Sequence, residues 1–449
     1  MKKSEIQKLA VGAAVAAATI FGTMCFGENP VVQTCFTADP APMVYNDTLY
    51  LYTSHDEDDA TGFKMFDWKC FTTTDMVNWT EHGMVASMST FTWTARNGAW
   101  APQCIFRNGK FYLYVPVAQK NGGMAIGVAV SSNAFGPFVD AIGKPLIANS
   151  REDIDPTVYI DEDGQAYLYW GNPNLWYVKL NEDMISYSGS IVQEPTKPRN
   201  YQEGPWFYKE NGKYYMVYAS TCCPEGIGYC MSDGPTGPWT YKGMVMDPNR
   251  ASSGNHPGII DYKGSSYVFG FNYFLNLALT PTHRERRSVC VAKMTYNADG
   301  TIPTVPWWTQ EGVPQIGTFN PYVQTDAATI CWETGVKTMS RDGDKPGVYV
   351  SANTNGAYIK VKGVDFGGKG AAKFLASVAS ATNGSAIELR LDGETGALIG
   401  TLEVKPTGAL DKWATQSCSA SGAKGVHDLY LKFTGGSSPL LSFDWWKFE

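Results

Sequence analysis

Five times along the chain an X-Pro step is followed by an apolar strand, a polar turn and a second strand dense in tyrosine or phenylalanine. The copies are Asp39-Pro40 leading to Leu49-Tyr50-Leu51-Tyr52, Ala101-Pro102 to Phe111-Tyr112-Leu113-Tyr114, Asp155-Pro156 to Tyr167-Leu168-Tyr169, Gly204-Pro205 to Tyr214-Tyr215-Met216, and His256-Pro257 to Tyr267-Val268-Phe269. Their prolines recur at about 50 to 60 residues, a little longer than common propeller blades. Asn108-Gly109, Asp163-Gly164, Asn211-Gly212 and Lys263-Gly264 supply residues that tolerate positive φ in a tight turn between strands. Further strand pairs, such as 124–131 and 227–232, are closed by the similar turns Phe135-Gly136-Pro137-Phe138 and Thr236-Gly237-Pro238-Trp239. That makes about four strands per repeat, and four-stranded units repeated radially close with only short, protected edges. Five copies therefore predict an all-β five-bladed propeller.

A propeller also dictates where function lies. The innermost strand of each blade starts near the axis, so Asp39, Trp100 with Ala101, Asp155, Glu203 and His256 should face one another across one mouth of the channel. Proline at a strand start is usually structural, because it fixes φ. Three carboxylates in one register of different blades are another matter, because like charges converging on an axis cost stability unless they serve a purpose. Glycosidic cleavage needs one carboxylic acid to protonate the leaving oxygen and one carboxylate to activate water or attack directly. Asp39, Asp155 and Glu203 meet that need with one group to spare, whose charge would hold Glu203 protonated.

The rest of the composition narrows the partners. A net charge of -7 leaves no basic footprint for nucleic acid or an anionic membrane, so a neutral polar ligand fits better. Aromatic residues at 13% supply stacking surfaces and exclude a disordered chain. Residues 1–27 read as an export signal, with Lys2, Lys3 and Lys8 before an apolar stretch, so the expected setting is extracellular or periplasmic, with no membrane contact once the signal is cleaved. The remaining cysteines form an odd set without regular spacing, which gives no disulfide framework, and no CxxC pair stands ready for zinc. The acidic run Asp56-Glu57-Asp58-Asp59 and the Asp161-to-Gly164 stretch both read as turns rather than metal loops.

The phrases Phe36-Thr37-Ala38-Asp39-Pro40, Tyr52-Thr53-Ser54-His55-Asp56, Ala99-Trp100-Ala101-Pro102-Gln103, Asp153-Ile154-Asp155-Pro156-Thr157, Glu203-Gly204-Pro205-Trp206, Asn255-His256-Pro257 and Arg286-Arg287-Ser288-Val289 resemble glycoside hydrolase family 43, especially its arabinofuranosidase-type members. The resemblance implies an inverting enzyme with Asp39 as general base, Asp155 as the acid that tunes and orients, and Glu203 as general acid. It implies Trp100 as a wall of the sugar pocket or a structural tryptophan. His256 would face the central cavity, where a calcium ion is held through histidine and water, or be a satisfied core histidine. Arg287 would reach substrate hydroxyls or Glu203, unless Arg284 or Arg286 takes that part. No cofactor is required for the chemistry. Gly270-Phe271-Asn272 departs from the Tyr-His-Asn phrase of many relatives.

The propeller is expected over residues 28–315, followed by turn residues Gly312, Pro314, Gly317 and Pro321 and a second unit over 322–449. Short alternating strands at 358–361, 373–378, 387–391, 398–404, 427–433 and 442–448 predict a β-sandwich. Gly356-Ala357-Tyr358-Ile359-Lys360-Val361, Gly363-Val364-Asp365-Phe366, Ala397-Leu398-Ile399-Gly400 and Phe443-Asp444-Trp445-Trp446 resemble a family 6 carbohydrate-binding module. The match implies a sugar sandwiched by Tyr358 and Trp413. Ser442 replaces the usual asparagine, and Ala328 replaces an acid expected at a structural calcium. The expected substrate is arabinoxylan or a related pentosan oligosaccharide, taken by a monomer that removes arabinofuranosyl side chains. β-Xylosidase or arabinanase activity, or a non-catalytic sugar-binding propeller, are the alternatives.

Overall fold

The computed structural model describes residues 26–250, 255–280, 282, 284–341, 347–436 and 438–449. Apart from its last two residues, the expected export signal lies outside them. The chain is all-β, and Phe274–Leu279 is the one α-helix among the described residues.

Each of the five repeats forms its own antiparallel sheet. The first contains Phe36–Tyr45, Thr48–Asp56, Asp67–Thr73 and Trp79–Ser87; the second is built on Gln103–Arg107, Lys110–Gln119 and Met124–Ser131. The third and fourth are four-stranded, starting at Thr157–Ile160 and Tyr201–Glu210. The fifth has three strands, Gly258–Tyr262, Ser265–Asn272 and Ser288–Met294. Three of the four predicted turns form as read, with Asn108, Asn211 and Lys263 at φ of 51°, 48° and 46° ahead of their glycines, whereas in the third repeat Gly164, at 85°, takes positive φ without Asp163. Asn46 and Asp47, at 47° and 60°, make the corresponding turn of the first repeat, which lacks a glycine and escaped notice in the sequence.

The tyrosine-dense strands have a physical reason. Tyr52 donates its hydroxyl to Ala134 O at 2.5 Å, Tyr114 to Met184 O at 2.6 Å, Tyr169 to Pro235 O at 2.8 Å and Tyr215 to Gly300 O at 2.7 Å. Each ring is buried in its own repeat while its hydroxyl satisfies a carbonyl in the next segment around the ring of sheets. Close approach at the axis does the rest. A Cβ on Gly258 would lie 2.4 Å from Pro42 Cδ and 2.5 Å from Pro40 O, so the first strands of the fifth and first sheets meet only because residue 258 is glycine. All five prolines of the X-Pro steps line one small hollow, so the predicted convergence is present.

The second unit is two sheets around one core. Val350, Val378, Phe443 and Trp446 of one sheet pack with Ile359, Leu389 and Leu431 of the other. It is not a loose appendage. Thr329–Ile330 pairs with Trp79 and Thr80 as a fifth strand of the first sheet. The buried carboxylate of Glu81 accepts hydrogen bonds from Thr34 at 2.9 Å, Lys69 at 3.2 Å and, across the boundary, Thr338 at 2.8 Å. Lys360 pairs with Glu28 at 2.6 Å, and the Asn78 side chain bonds both the N–H and the carbonyl of Lys362. Ala328, which replaces an expected calcium ligand, gives its carbonyl to the Glu81 N–H at 3.1 Å.

Two stability measurements follow. Deleting residues 322–449 removes the fifth strand and one partner of a buried carboxylate, so the truncated protein should melt at a lower temperature than the full chain. Thr338→Val alone should cost about 1–3 kcal/mol in urea unfolding, the usual penalty for stripping a buried polar group of a partner. An unchanged midpoint in either case would mean that the boundary contacts carry no stability.

Candidate functional site

Above the hollow where the five strands meet lies a cavity of about 230 Å³. Phe63, Met65, Trp100, Ala101 and Ile154 form its apolar wall; Asp39, Asp155, Asn172, Glu203, His256 and Arg287 supply its polar groups. The structure thus brings together all six propeller residues singled out in the sequence.

Local backbone sets their positions. Asp39 and Asp155 each precede a proline and adopt the left-handed region, with φ of 53° and 59°. A proline disfavours the right-handed helical region for the residue before it, and aspartate tolerates positive φ better than most residues. This uncommon conformation recurs at the same place in two repeats, and such strain persists where surrounding contacts fix it. Gly204, at φ 58°, leaves room for the His256 ring, which would lie 2.9 Å from a Cβ there.

Asp39 and Asp155 are buried, Glu203 is partly exposed to the cavity, and all three are tied from several sides. Asp39 accepts from Ser54 Oγ at 2.5 Å and Arg287 Nη1 at 3.0 Å. Asp155 accepts from the Gly204 N–H at 3.1 Å, and Glu203 from Asn172 Nδ2 at 2.5 Å. The His256 imidazole stands among all three, with Nδ1 3.5 Å from Asp39 and Nε2 3.7 Å from Asp155 and 3.6 Å from Glu203. Arg287 is locked by a two-pronged bond to Asp56, Nε at 3.0 Å and Nη2 at 2.9 Å, and its own N–H reaches the same carboxylate at 2.9 Å.

Two sequence expectations need correction here. Arg287 contacts Asp39 rather than Glu203, because Asp56 holds its guanidinium on the Asp39 side. Asp56 itself is not part of a solvated turn: it is fully buried at the end of its strand, as the ion-pair partner of Arg287. Only Asp58 and Asp59 behave as the acidic run suggested, pairing with Lys337 and Lys64 near the surface. Arg286 bonds the Ala60 carbonyl and does not line the cavity.

Burial drives the electrostatics. It pushes Asp155 up to about 7; His256 opposes this, while Glu203 and Asp39 add to it. Burial also works against charge on His256, yet Asp155, Asp39 and Glu203 together raise its ring to about 10. For Glu203, burial pulls upward but the hydrogen bond and charge of His256, with the Asn172 amide, outweigh it and leave the group below its ordinary value. The resting cluster therefore keeps a proton on the imidazole beside Glu203.

Asn172, Ser54 and Phe63 were not singled out in the sequence. Ser54 could have been: it lies two residues from Tyr52 on a strand whose alternation points both to one side. Asn172 carried no signal, since it follows the third repeat's strand in a turn. Glu225, buried beside Glu203 and His256 and pushed by burial and the Glu203 charge to about 7, was missed as well.

In the second unit Tyr358 and Trp413 each pack on a different ring. Tyr358 alternates with core residues Ile359 and Val361 and packs on Tyr430 at 5.4 Å, on the sheet face shared with Lys360. Trp413 packs instead on Tyr349 at 5.2 Å, on the outer face of the opposite sheet. Trp413 itself lies in the loop just ahead of Ala414–Ser419, a strand of that opposite sheet. Cys222 and Cys223 are joined as a disulfide in the loop before Glu225. Cys35, Cys104 and Cys331 are buried thiols pushed up to about 12, which leaves no thiolate for nucleophilic work at those positions.

With this geometry established, comparison with known proteins is informative. Residues 27–302 match the model for glycosyl hydrolases family 43, and residues 326–449 match that for carbohydrate binding module family 6. An arabinoxylan arabinofuranohydrolase of Paenibacillus polymyxa is 33% identical over 480 residues, covering 94% of this chain and 74% of that protein. The crystal structure of a family 43 arabinoxylan arabinofuranohydrolase from Bacillus subtilis, in complex with cellotetraose, superposes with a TM-score of 0.83 at 32% identity, covering 94% of this chain and 97% of the other. A β-xylosidase/α-arabinofuranosidase from a compost metagenome, solved with xylotriose in a calcium-free form, has a TM-score of 0.57 at 28% identity over 62% of this chain and 97% of its own.

The charge arrangement gives a pH prediction. A histidine whose folded value is raised from 6.5 to about 10 contributes stability that is fully present below pH 6.5 and lost as pH rises through 10. Asp155, held neutral more readily when folded, acts in the same direction, since its favoured neutral form is lost through about pH 7. The urea midpoint should therefore fall between pH 6.5 and pH 10, and His256→Gln should flatten that fall. Parallel curves for parent and variant would contradict the assignment.

Proposed function

The chain belongs to glycosyl hydrolases family 43 and carries a family 6 carbohydrate-binding module, and from that premise we propose an inverting exo-acting α-L-arabinofuranosidase that removes side chains from arabinoxylan. The five sheets are the blades of a five-bladed propeller, and the catalytic unit spans residues 28–315. The observation that carries the reading is the cluster of Asp39, Asp155 and Glu203 around one cavity of about 230 Å³. A pocket of that size, walled by Trp100 and Phe63, suits one terminal pentose rather than a through-running chain.

Glu203 is the general acid and gives its proton to the glycosidic oxygen as the C–O bond breaks. Asp39, held by Arg287 and Ser54, is the base that takes a proton from the attacking water. The His256 ring lies between the two carboxyls, which supports the separation of about 6.5–9.5 Å that an inverting pair needs for its water. Asp155 fixes the Gly204 N–H beside Glu203 and, when charged, favours the protonated acid. His256, beside Glu203, is the group through which the acid regains its proton from solvent.

The reaction needs only carboxylates and water. Calcium prefers six to eight oxygen ligands. Around His256 the chain offers one imidazole facing carboxylates, above a hollow of about 20 Å³ with room for about one water. With Asp155 and Glu203, His256 offers ligand atoms within 4.8 Å of one another, a set that could hold a metal ion, and no step depends on one.

The protein is exported and acts as a monomer, and its module holds it near polymer without touching the transition state. β-Xylosidase activity is the second reading, favoured by relatives such as the compost-metagenome enzyme, whose name covers both sugars.

The test is to incubate the purified protein with arabinoxylan, arabinan and xylo-oligosaccharides and identify the released monosaccharide. Arabinose from arabinoxylan is expected; xylose alone would give the second reading, and no sugar would reject both. Glu203→Gln should lower turnover of these substrates by about 100- to 10,000-fold with the fold intact.

A further inference from the structure

Behind Glu203 lies a side chain for which nothing above has given a role. Asn172 follows Gly171, whose N–H donates to Ile154 O at 2.8 Å and whose carbonyl accepts the Tyr201 hydroxyl at 2.5 Å. Gly171 takes φ of 118°, and a Cβ there would stand 2.2 Å from Asn174 O, so glycine is required to make this turn. The residue after it is thus delivered from the third repeat to the carboxyl of the fourth by contacts to both.

Its amide is oriented by two contacts. Gln202 Nε2 donates to Asn172 Oδ1 at 3.1 Å, which leaves the Asn172 NH₂ group facing Glu203 Oε2 at 2.5 Å. A carboxylic acid has one hydroxyl and one carbonyl oxygen, and the oxygen that accepts a short N–H bond is held as the carbonyl. When Glu203 takes up its proton, the hydroxyl therefore sits on Oε1, the oxygen 3.6 Å from His256 Nε2.

We propose that Asn172 is a positioning residue that fixes the carboxyl plane of Glu203 and the oxygen from which it donates its proton. The inference rests on Glu203 being the general acid. In the step it serves, the proton leaves Oε1 for the glycosidic oxygen, the C–O bond breaks with its electron pair on that oxygen, and Glu203 is left as carboxylate. The water that adds at the anomeric carbon gives its proton to Asp39. Without the Asn172 amide the carboxyl rotates freely and presents the wrong oxygen for much of the time, and misplacement on the order of 1 Å can cost about 100-fold.

The test compares Asn172→Ala and the isosteric Asn172→Asp on two substrates, an arabinoxylo-oligosaccharide and a dinitrophenyl arabinofuranoside whose leaving group needs no proton. On the oligosaccharide kcat should fall on the order of 100-fold in both variants with KM little changed. On the aryl glycoside both should stay near the parent, as should Glu203→Gln. Asn172→Asp keeps the shape but replaces the donor with an acceptor, so wild-type turnover of the oligosaccharide by that variant would overturn the inference. So would a rise in KM on both substrates with kcat unchanged, which would make Asn172 a substrate contact. If Glu203→Gln splits the substrates and the Asn172 variants do not, the inference alone fails. If Glu203→Gln loses both substrates equally, the acid assignment fails and takes the inference with it.

Discussion

Everything in the site depends on keeping several carboxylates buried together without tearing the fold apart. Asp39, Asp56, Asp155 and Glu203 converge on two cations, Arg287 and His256, around the cavity. Removing charges from water is costly, and the cost is offset only when geometry and hydrogen bonds are good. Here they are: Asp56 takes both prongs of Arg287, and Asp39 takes its remaining nitrogen. Arg287 immediately precedes the last strand of the fifth sheet and both aspartates come from the first sheet, so one ion-pair network joins these two sheets and orients the proposed base.

The same constraint explains what could be read in the sequence. The X-Pro steps were legible because one short phrase recurs five times, and recurrence in register places residues without any knowledge of side-chain contacts. Asp39, Asp155, Glu203 and His256 were found in this way. Asp56 was hidden because its neighbours Glu57, Asp58 and Asp59 make the local composition look solvated, whereas strand alternation alone decides that residue 56 points inward. Arg287 was recognised, but its partner was not, since a partner 231 residues away leaves no trace in local spacing. Asn172 had no pattern at all; its position follows from a glycine turn braced by two repeats.

In the second unit the six expected strands are present, whereas Val336–Ser340, Val348–Ala352 and Ala414–Ser419 were not read from the sequence. Tyr358 sits in a strand of one sheet and Trp413 in the loop ahead of Ala414–Ser419 of the other, a difference that a match to a family phrase does not register. The polar contacts of Glu81, Lys360 and Asn78 tie the two units together across the turn residues near 312–321, and the chain beyond them returns to complete the first sheet, which local turn composition does not reveal.

The central claim is that Asp39 and Glu203 act from opposite sides of the sugar ring, with the imidazole of His256 between them. Proton NMR of the first-formed sugar, recorded before mutarotation, tests this most directly. The account predicts that cleavage of an α-arabinofuranoside yields the β anomer first. Initial appearance of the α anomer would show retention and contradict the assignment of Asp39 as a base acting on water.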